Sequence, residues 1–143
     1  MSLNRALGIS ESGMTAERVV MELIASNLAN INTTQGVNGG PYRRKVAVLG
    51  ERPLSFESVY QSELSRAEGA GVEVVRIAED SSPAHKIYNP THPNADAQGY
   101  VWLPNVSLSQ ETVDLVQAQK MFEANAAAFN TTKKMAQEAL SIQ

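Results

Sequence analysis

Two stretches at opposite ends of this 143-residue chain repeat their apolar side chains at helical spacing, each over a wide arc. In the first, Leu3, Leu7, Met14, Met21, Ile24, Leu28 and Ile31 fall on one side at about 100° per residue. Ala6, Ala16, Val20 and Leu23 broaden that side, while Glu11, Arg18 and Glu22 lie opposite. In the second, residues 109–142, one face is Leu115, Ala118, Phe122, Phe129, Ala136 and Leu140. An adjacent face is Met121, Ala124, Ala128, Met135, Ala139 and Ile142, with Lys120, Glu123, Lys134 and Glu138 on the wet side. A coiled-coil seam uses only the narrow a and d positions, so bands this broad imply two contacts for each helix. A helical hairpin closed on the rest of its own chain is the plainer way to meet that need. Contacts with other copies or relatives are the other.

The stretch 24–34, Ile-Ala-Ser-Asn-Leu-Ala-Asn-Ile-Asn-Thr-Thr, closes the first helix, and Gly36 and Gly39-Gly40-Pro41 open a loop after it. Gly8 and Gly13 interrupt that helix, each at about 1 kcal/mol relative to alanine. Ser107 or Ser109 starts the second helix, and Gln110 stands at capping-box distance from Ser107. Glu111 and Asp114 in its opening turns and Lys133 and Lys134 toward its end suit the macrodipole. Between the helices, 42–49, 72–78, 84–88 and 100–103 read as strands, separated by Arg52-Pro53, Gly69-Ala70-Gly71, Asp80-Ser81-Ser82-Pro83 and the proline-bearing loop 89–96. Residues 55–68 fit a short helix or a mobile loop equally well. The expected fold class is α+β: long N- and C-terminal helices pairing antiparallel as a coiled-coil-like unit, with a small β-rich insert between them. In domain terms, residues 1–32 and 107–143 form a discontinuous helical unit and 33–106 the insert, with a flexible loop at about 50–71. Trp102, the chain's only tryptophan, makes the insert the natural seat of a local core.

Composition removes several functions. The formal charge of −3 gives no broad basic surface for nucleic acid or anionic membrane. Zero cysteines exclude disulfides, thiolate metal sites and cysteine nucleophiles. Residues 1–10 carry one arginine and no unbroken apolar run, so no cleaved secretory signal is expected there. No stretch approaches the roughly 20 apolar residues that cross a bilayer, so lipid insertion is not expected. His85 and His92 are too few and too oddly spaced for a metal site, even with Asp80 and Asp96 beside them. Arg43-Arg44-Lys45 reads as a solvated strand edge or as a contact for an acidic neighbour in an assembly. No phosphate loop or nucleophile elbow is present, so neither enzyme activity nor a cofactor is expected. Asn27, Asn30 and Asn125 are either solvated or capping residues, or seam residues that set register at a cost in stability.

Ser12-Gly13-Met14-Thr15-Ala16-Glu17-Arg18, followed by Ile24-Ala25-Ser26-Asn27-Leu28-Ala29-Asn30, resembles the N-terminal signature of bacterial flagellar axial proteins, the rod, hook and hook-associated subunits. The run from Tyr88 through Asn89-Pro90-Thr91-His92-Pro93-Asn94 to Val101, with Pro104-Asn105-Val106, is similar to proximal rod members of that family. Phe122-Glu123-Ala124-Asn125 and Asn130-Thr131-Thr132-Lys133 resemble their C-terminal helix. Residues 50–71 match the pattern least. The resemblance implies a structural subunit of the drive shaft that crosses the periplasm. It further implies export by the flagellar type III apparatus, and stacking with other rod subunits, copies of itself and adjoining basal-body components. The assembly interface expected on that basis takes Leu3, Leu7, Met14, Val20, Met21, Ile24, Asn27, Leu28 and Ile31 from the first helix. From the second it takes Leu115, Met121, Phe122, Asn125, Ala128, Phe129, Met135, Ala139 and Ile142. The rival from another class is a monomeric binding module whose insert grips a ligand through Tyr88, Tyr100 and Trp102.

Overall fold

The computed structural model describes residues 3–36, 39–53 and 70–141. Its order is α1 (Leu3–Ala29), β1 (Lys45–Glu51), β2 (Val72–Glu79), β3 (His85–Tyr88), β4 (Tyr100–Leu103) and α2 (Leu108–Ser141). The helix-or-loop alternative for 55–68 lies outside the described residues, as does Ile142.

α1 and α2 pack along each other. Gly13 faces the side chain of Asn125, and Asn27 is hydrogen-bonded to Glu111. The lower-numbered residue of α1 meets the higher-numbered residue of α2, so the helices run antiparallel. A Cβ on Gly13 would sit 2.7 Å from Asn125 Nδ2. That glycine, costly to the helix taken alone, is where the two helices come closest to the limit set by side-chain volume.

On α2 the covered positions Glu111, Leu115, Ala118, Phe122, Asn125, Phe129, Thr132 and Ala136 form an unbroken alternation of four and three residues, with Asp114 and Ala126 covered beside it. This 3.5-residue repeat is the mark of a coiled-coil seam, and the expected first face of α2 supplies most of it. The expected second face, Met121, Ala124, Ala128, Met135 and Ala139, is exposed throughout.

α1 differs. Its exposed residues form one stripe at the same spacing, Asn4, Glu11, Thr15, Arg18, Glu22, Ala25 and Ala29, with Leu3 beside it at the end. The remainder is covered by α2 on one side and by β1 and β2 on the other. Both contacts that its wide band requires therefore come from the chain itself, because the β1–β2 ribbon folds back onto the helix. The second face of α2 receives no such cover.

The insert is two antiparallel ribbons, not one sheet. β1 pairs with β2 from Lys45↔Glu79 to Glu51↔Val72, and the register shifts between Val48 and Leu49. Val75 is left over as the extra residue of a bulge there, and Gly50 makes room for it. Gly71 enters β2 at φ +105°, and a Cβ there would overlap Ser12 Oγ on α1. Ser12 Oγ instead accepts the Val72 N–H at 3.1 Å, tying the ribbon to the helix. β3 pairs with β4 from His85↔Leu103 to Tyr88↔Tyr100. The local core near this second ribbon is Val101, Pro104 and Val106; Trp102 is 46% exposed and is not part of it. Strand alternation explains this, since burying Val101 turns its neighbour to the other face.

α1 ends where Asn30 caps it: its N–H and its Nδ2 both donate to Ser26 O, and Thr33 Oγ1 donates to Asn30 Oδ1. At the start of α2, the Ser107 carbonyl accepts the Glu111 N–H at 2.9 Å. The expected capping-box reach of Gln110 is not made; its amide donates to Asp114 instead.

Candidate functional site

The most enclosed polar contacts of the chain join α1, β1 and α2 at one point. Asn27, 1% exposed, donates through Nδ2 to Lys45 O at 2.9 Å and to Glu111 Oε2 at 3.0 Å. Its Oδ1 accepts the Lys45 N–H and the Tyr42 hydroxyl, each at 2.9 Å. Glu111, fully buried, accepts Arg44 Nε on its other oxygen at 2.5 Å. Arg44 Nη2 donates to Asp114 Oδ2 at 2.7 Å, and Nη1 lies 3.9 Å from Asp80 Oδ2.

The backbone closes the same point. Arg44 N donates to Asn105 Oδ1, and the Asn105 amide donates to the carbonyls of Asp80 and Ser82. A buried carboxylate is tolerated only when paired and hydrogen-bonded, and both oxygens of Glu111 are. Burial pulls Arg44 down in pKa, but its hydrogen bond to Glu111 and the charges of Glu111, Asp114 and Asp80 outweigh that and leave it raised. A guanidinium so held stays charged, so this is a fastening and not a proton-transfer site.

Arg44 thus spends its charge on the chain's own C-terminal helix, where the strand-edge reading had left it to solvent or a neighbour. Its flanking residues differ: Arg43 is exposed, and Lys45 Nζ lies 5.8 Å over the Tyr42 ring. The sequence held one signal for the fastening. Glu111 falls on the same four-three repeat as Leu115, Ala118 and Phe122, and an acid on an apolar stripe demands a buried partner. Nothing local marks Tyr42, Arg44 or Asn105 as that partner's surroundings.

Beside this point runs an open groove of about 330 Å³ between α1, β1 and α2. Val20, Leu23, Val46, Leu49, Ala118 and Met121 give it apolar walls, with Glu17 and Asp114 among its charged residues. Burial in the groove raises the pKa of Glu17.

Of the expected interface residues, Ile24 and Asn27 are closed off within the chain. Leu7, Met14, Val20, Met21, Leu28 and Ile31 are half-covered on α1, as are Leu115, Phe122, Asn125 and Phe129 along the seam. Leu3, Met121, Ala128, Met135 and Ala139 are exposed.

The second ribbon is the other exposed feature. Lys86 Nζ lies 4.2 Å from the Tyr100 ring centroid and 5.3 Å from that of Trp102, while Tyr88 packs edge-on to Tyr100. In its tip, Asp96 Oδ1 accepts the amides of Tyr100 and Gln98, each at 2.9 Å. The Tyr100 amide bond lowers the Asp96 pKa, burial opposes it, and the Gln98 amide and Lys86 add to the lowering, which prevails. A carboxyl depressed on folding stabilises above its ordinary value and loses that contribution as pH falls through the depressed one. The tip is therefore expected to hold at neutral pH and to open only in acid below the aspartate reference of 3.8. The amide resonances of Gln98 and Tyr100, followed by NMR against pH, check this; an inflection at or above that value would refute it.

His85 lies on exposed β3, and His92 Nδ1 accepts the Asn94 N–H at 3.1 Å. Among the described residues no group of three or more His, Asp or Glu is placed to hold a metal ion, and no helix is long and apolar enough to cross a membrane.

Comparison with known sequences matches both helical ends. Residues 7–36 match the family model described as flagella basal body rod protein, and residues 97–142 match that of the flagellar basal body rod FlgEFG protein C-terminal. The flagellar basal-body rod protein FlgC of Bacillus subtilis (strain 168) is 45% identical, covering 99% of this chain and 99% of its own. The chain belongs to the FlgC family of flagellar basal-body rod proteins. The FlgC proteins of Aquifex aeolicus (strain VF5), at 40% identity over 94% of this chain and 92% of theirs, and of Borreliella burgdorferi (strain ATCC 35210 / DSM 4680 / CIP 102532 / B31), at 36% over 99% and 98%, match over nearly their whole lengths. A FlgC-family chain is a structural rod subunit of the flagellar basal body.

Proposed function

We propose that the chain stacks in the rod through its helix pair, with copies of itself and with other rod subunits, and passes torque between them. The observation that carries this is the uncovered second face of α2. Among the described residues six apolar side chains are buried, Ala16, Ile24, Val101, Pro104, Val106 and Ala118, while fourteen large ones are exposed. A chain that hides so little apolar surface gains by giving it to neighbours. Leu3, Met121, Ala128, Met135 and Ala139 then contact neighbouring subunits, and the remaining expected residues support them from within. Residues 1–32 and 107–143 act as the axial unit, 33–106 as an outward insert. Delivery by the flagellar type III export apparatus without a cleaved signal, and a place where the rod crosses the periplasm beside other basal-body components, complete the reading.

The test uses cells lacking their own copy of the gene. Supplied with Ala124→Glu/Ala128→Glu, they are expected to be non-motile, while the purified variant keeps its denaturant midpoint, since both positions are exposed. Normal swimming would overturn the proposal. The binding-module reading rests on exposed Tyr88 and Trp102, but Lys86 already lies over the Tyr100 and Trp102 rings.

A further inference from the structure

Glu17 stands on the covered row of α1 with Val20, Ile24 and Asn27, at three- and four-residue spacing. The offset that sets Gly13 level with Asn125 and Asn27 level with Glu111 sets Glu17 level with Met121, at one end of the groove. β1 runs antiparallel to α1, from Lys45 bonded to Asn27 toward Glu51, which pairs with the Val72 that Ser12 holds. Leu49 therefore also lies toward the Glu17 end. The carboxylate is half-buried there among Val20, Leu49 and Met121. Among the described residues no hydrogen bond or ion pair reaches it.

The two cations that line the groove are at its other end. Arg44 is held by Glu111 and Asp114, and Lys45 Nζ lies over the ring of Tyr42, whose hydroxyl is bonded to Asn27. Asn27 is about 15 Å along the helix from Glu17, further than the screening length of about 8 Å at physiological salt. The lining is thus balanced in total and unbalanced along its length. A carboxylate among apolar side chains is costly until a cation meets it, and burial already pushes that of Glu17 up in pKa.

An inorganic ion does not suit the place, because hard divalent cations take about six to eight oxygen ligands and this end offers one carboxylate. A lysine or arginine does, since its methylene stem can lie on apolar walls while its head reaches the charge. Met121 at the mouth is 50% exposed and is continuous with the uncovered face of α2 through Ala124 and Ala128, so whatever covers that face stands at the groove.

We infer, resting on the rod-subunit reading, that a lysine or arginine of the neighbouring rod subunit covering the second face of α2 enters the groove beside Met121 and pairs with Glu17. Its stem lies against Val20, Leu49 and Met121. Glu17 then strengthens the assembly while weakening the chain that carries it.

The two effects have opposite signs, and one substitution separates them. Glu17→Gln keeps the shape and removes the charge. The purified variant is expected to unfold at an equal or higher denaturant concentration than the unaltered chain, while its content in basal bodies, built in cells lacking their own copy of the gene, falls at least threefold. Glu17→Lys is expected to lower that content at least tenfold. Unchanged content of Glu17→Gln, or a lower denaturant midpoint, overturns the pairing and leaves the rod-subunit reading standing. Absence of even the unaltered chain from basal bodies overturns both. As a second measurement, Met121 is replaced by the photoreactive p-benzoylphenylalanine, and the peptide bonded to it in irradiated basal bodies is identified by mass spectrometry. It is expected to come from another subunit and to hold a basic residue whose replacement by glutamate restores the content of Glu17→Lys at least fivefold. No adduct, a peptide without lysine or arginine, or no restoration overturns the inference.

Discussion

Replacing Arg44 with alanine is expected to destabilise the chain by about 3–5 kcal/mol, because it strands a fully buried carboxylate. The loss does not measure the worth of the ion pair. It measures the cost of leaving Glu111 among α1, β1 and α2 with only the Asn27 amide for company. Arg44→Lys keeps the charge but not the planar fork that reaches Glu111 and Asp114 together, so it should recover only part of the stability. Denaturant unfolding of the three proteins, followed by far-UV circular dichroism, checks the ranking. A cost below about 1 kcal/mol for Arg44→Ala would mean that other groups satisfy the buried acid.

Asn27→Ala comes next, at an expected 2–4 kcal/mol or so, since it leaves Lys45 N and O, the Tyr42 hydroxyl and one Glu111 oxygen each short of a partner. Asn27→Asp should be worse, because it sets a second carboxylate against Glu111 where an amide donor had been. Asn27 and Arg44 hold the two oxygens of one carboxylate, so their effects should not add. A double-mutant cycle is expected to show coupling of about 0.5–3 kcal/mol. Strict additivity would show that the two contacts act separately, despite their shared partner.

What could be seen in the sequence followed from periodicity. The apolar spacing over residues 3–31 and 109–142 places both helices, and the strand signals place all four strands, 100–103 at its observed bounds. The first strand begins later than its composition suggests because the ladder is intercepted at Arg44: its carbonyl still accepts the Asp80 N–H, but its own N–H and the Asp80 carbonyl both turn to the Asn105 side chain. Trp102 misled for a related reason: hydrophobicity identifies a candidate for burial, but the pairing of a short ribbon decides which face is covered. The fastening itself was hidden because its members come from three distant segments, Asn27, Tyr42–Lys45 and Asn105–Asp114, and only their meeting gives them meaning. Asn27 had been offered as a seam residue setting register. Its observed partners include the adjoining strand as well as the facing helix, which periodicity along one helix does not report.

The second ribbon carries one more consequence. β3 and β4 pair only with each other, and their ends are anchored through Asn105 to Asp80 and Ser82. Its tip, residues 89–99, is tied to the loop after α1 by Asn94 Nδ2, which donates to Thr34 Oγ1, and beyond that contact extra polypeptide can be accommodated cheaply: closing a loop twice as long costs only about 0.6 kcal/mol more. Polypeptide added there leaves the gauge between the two helices of this chain unchanged.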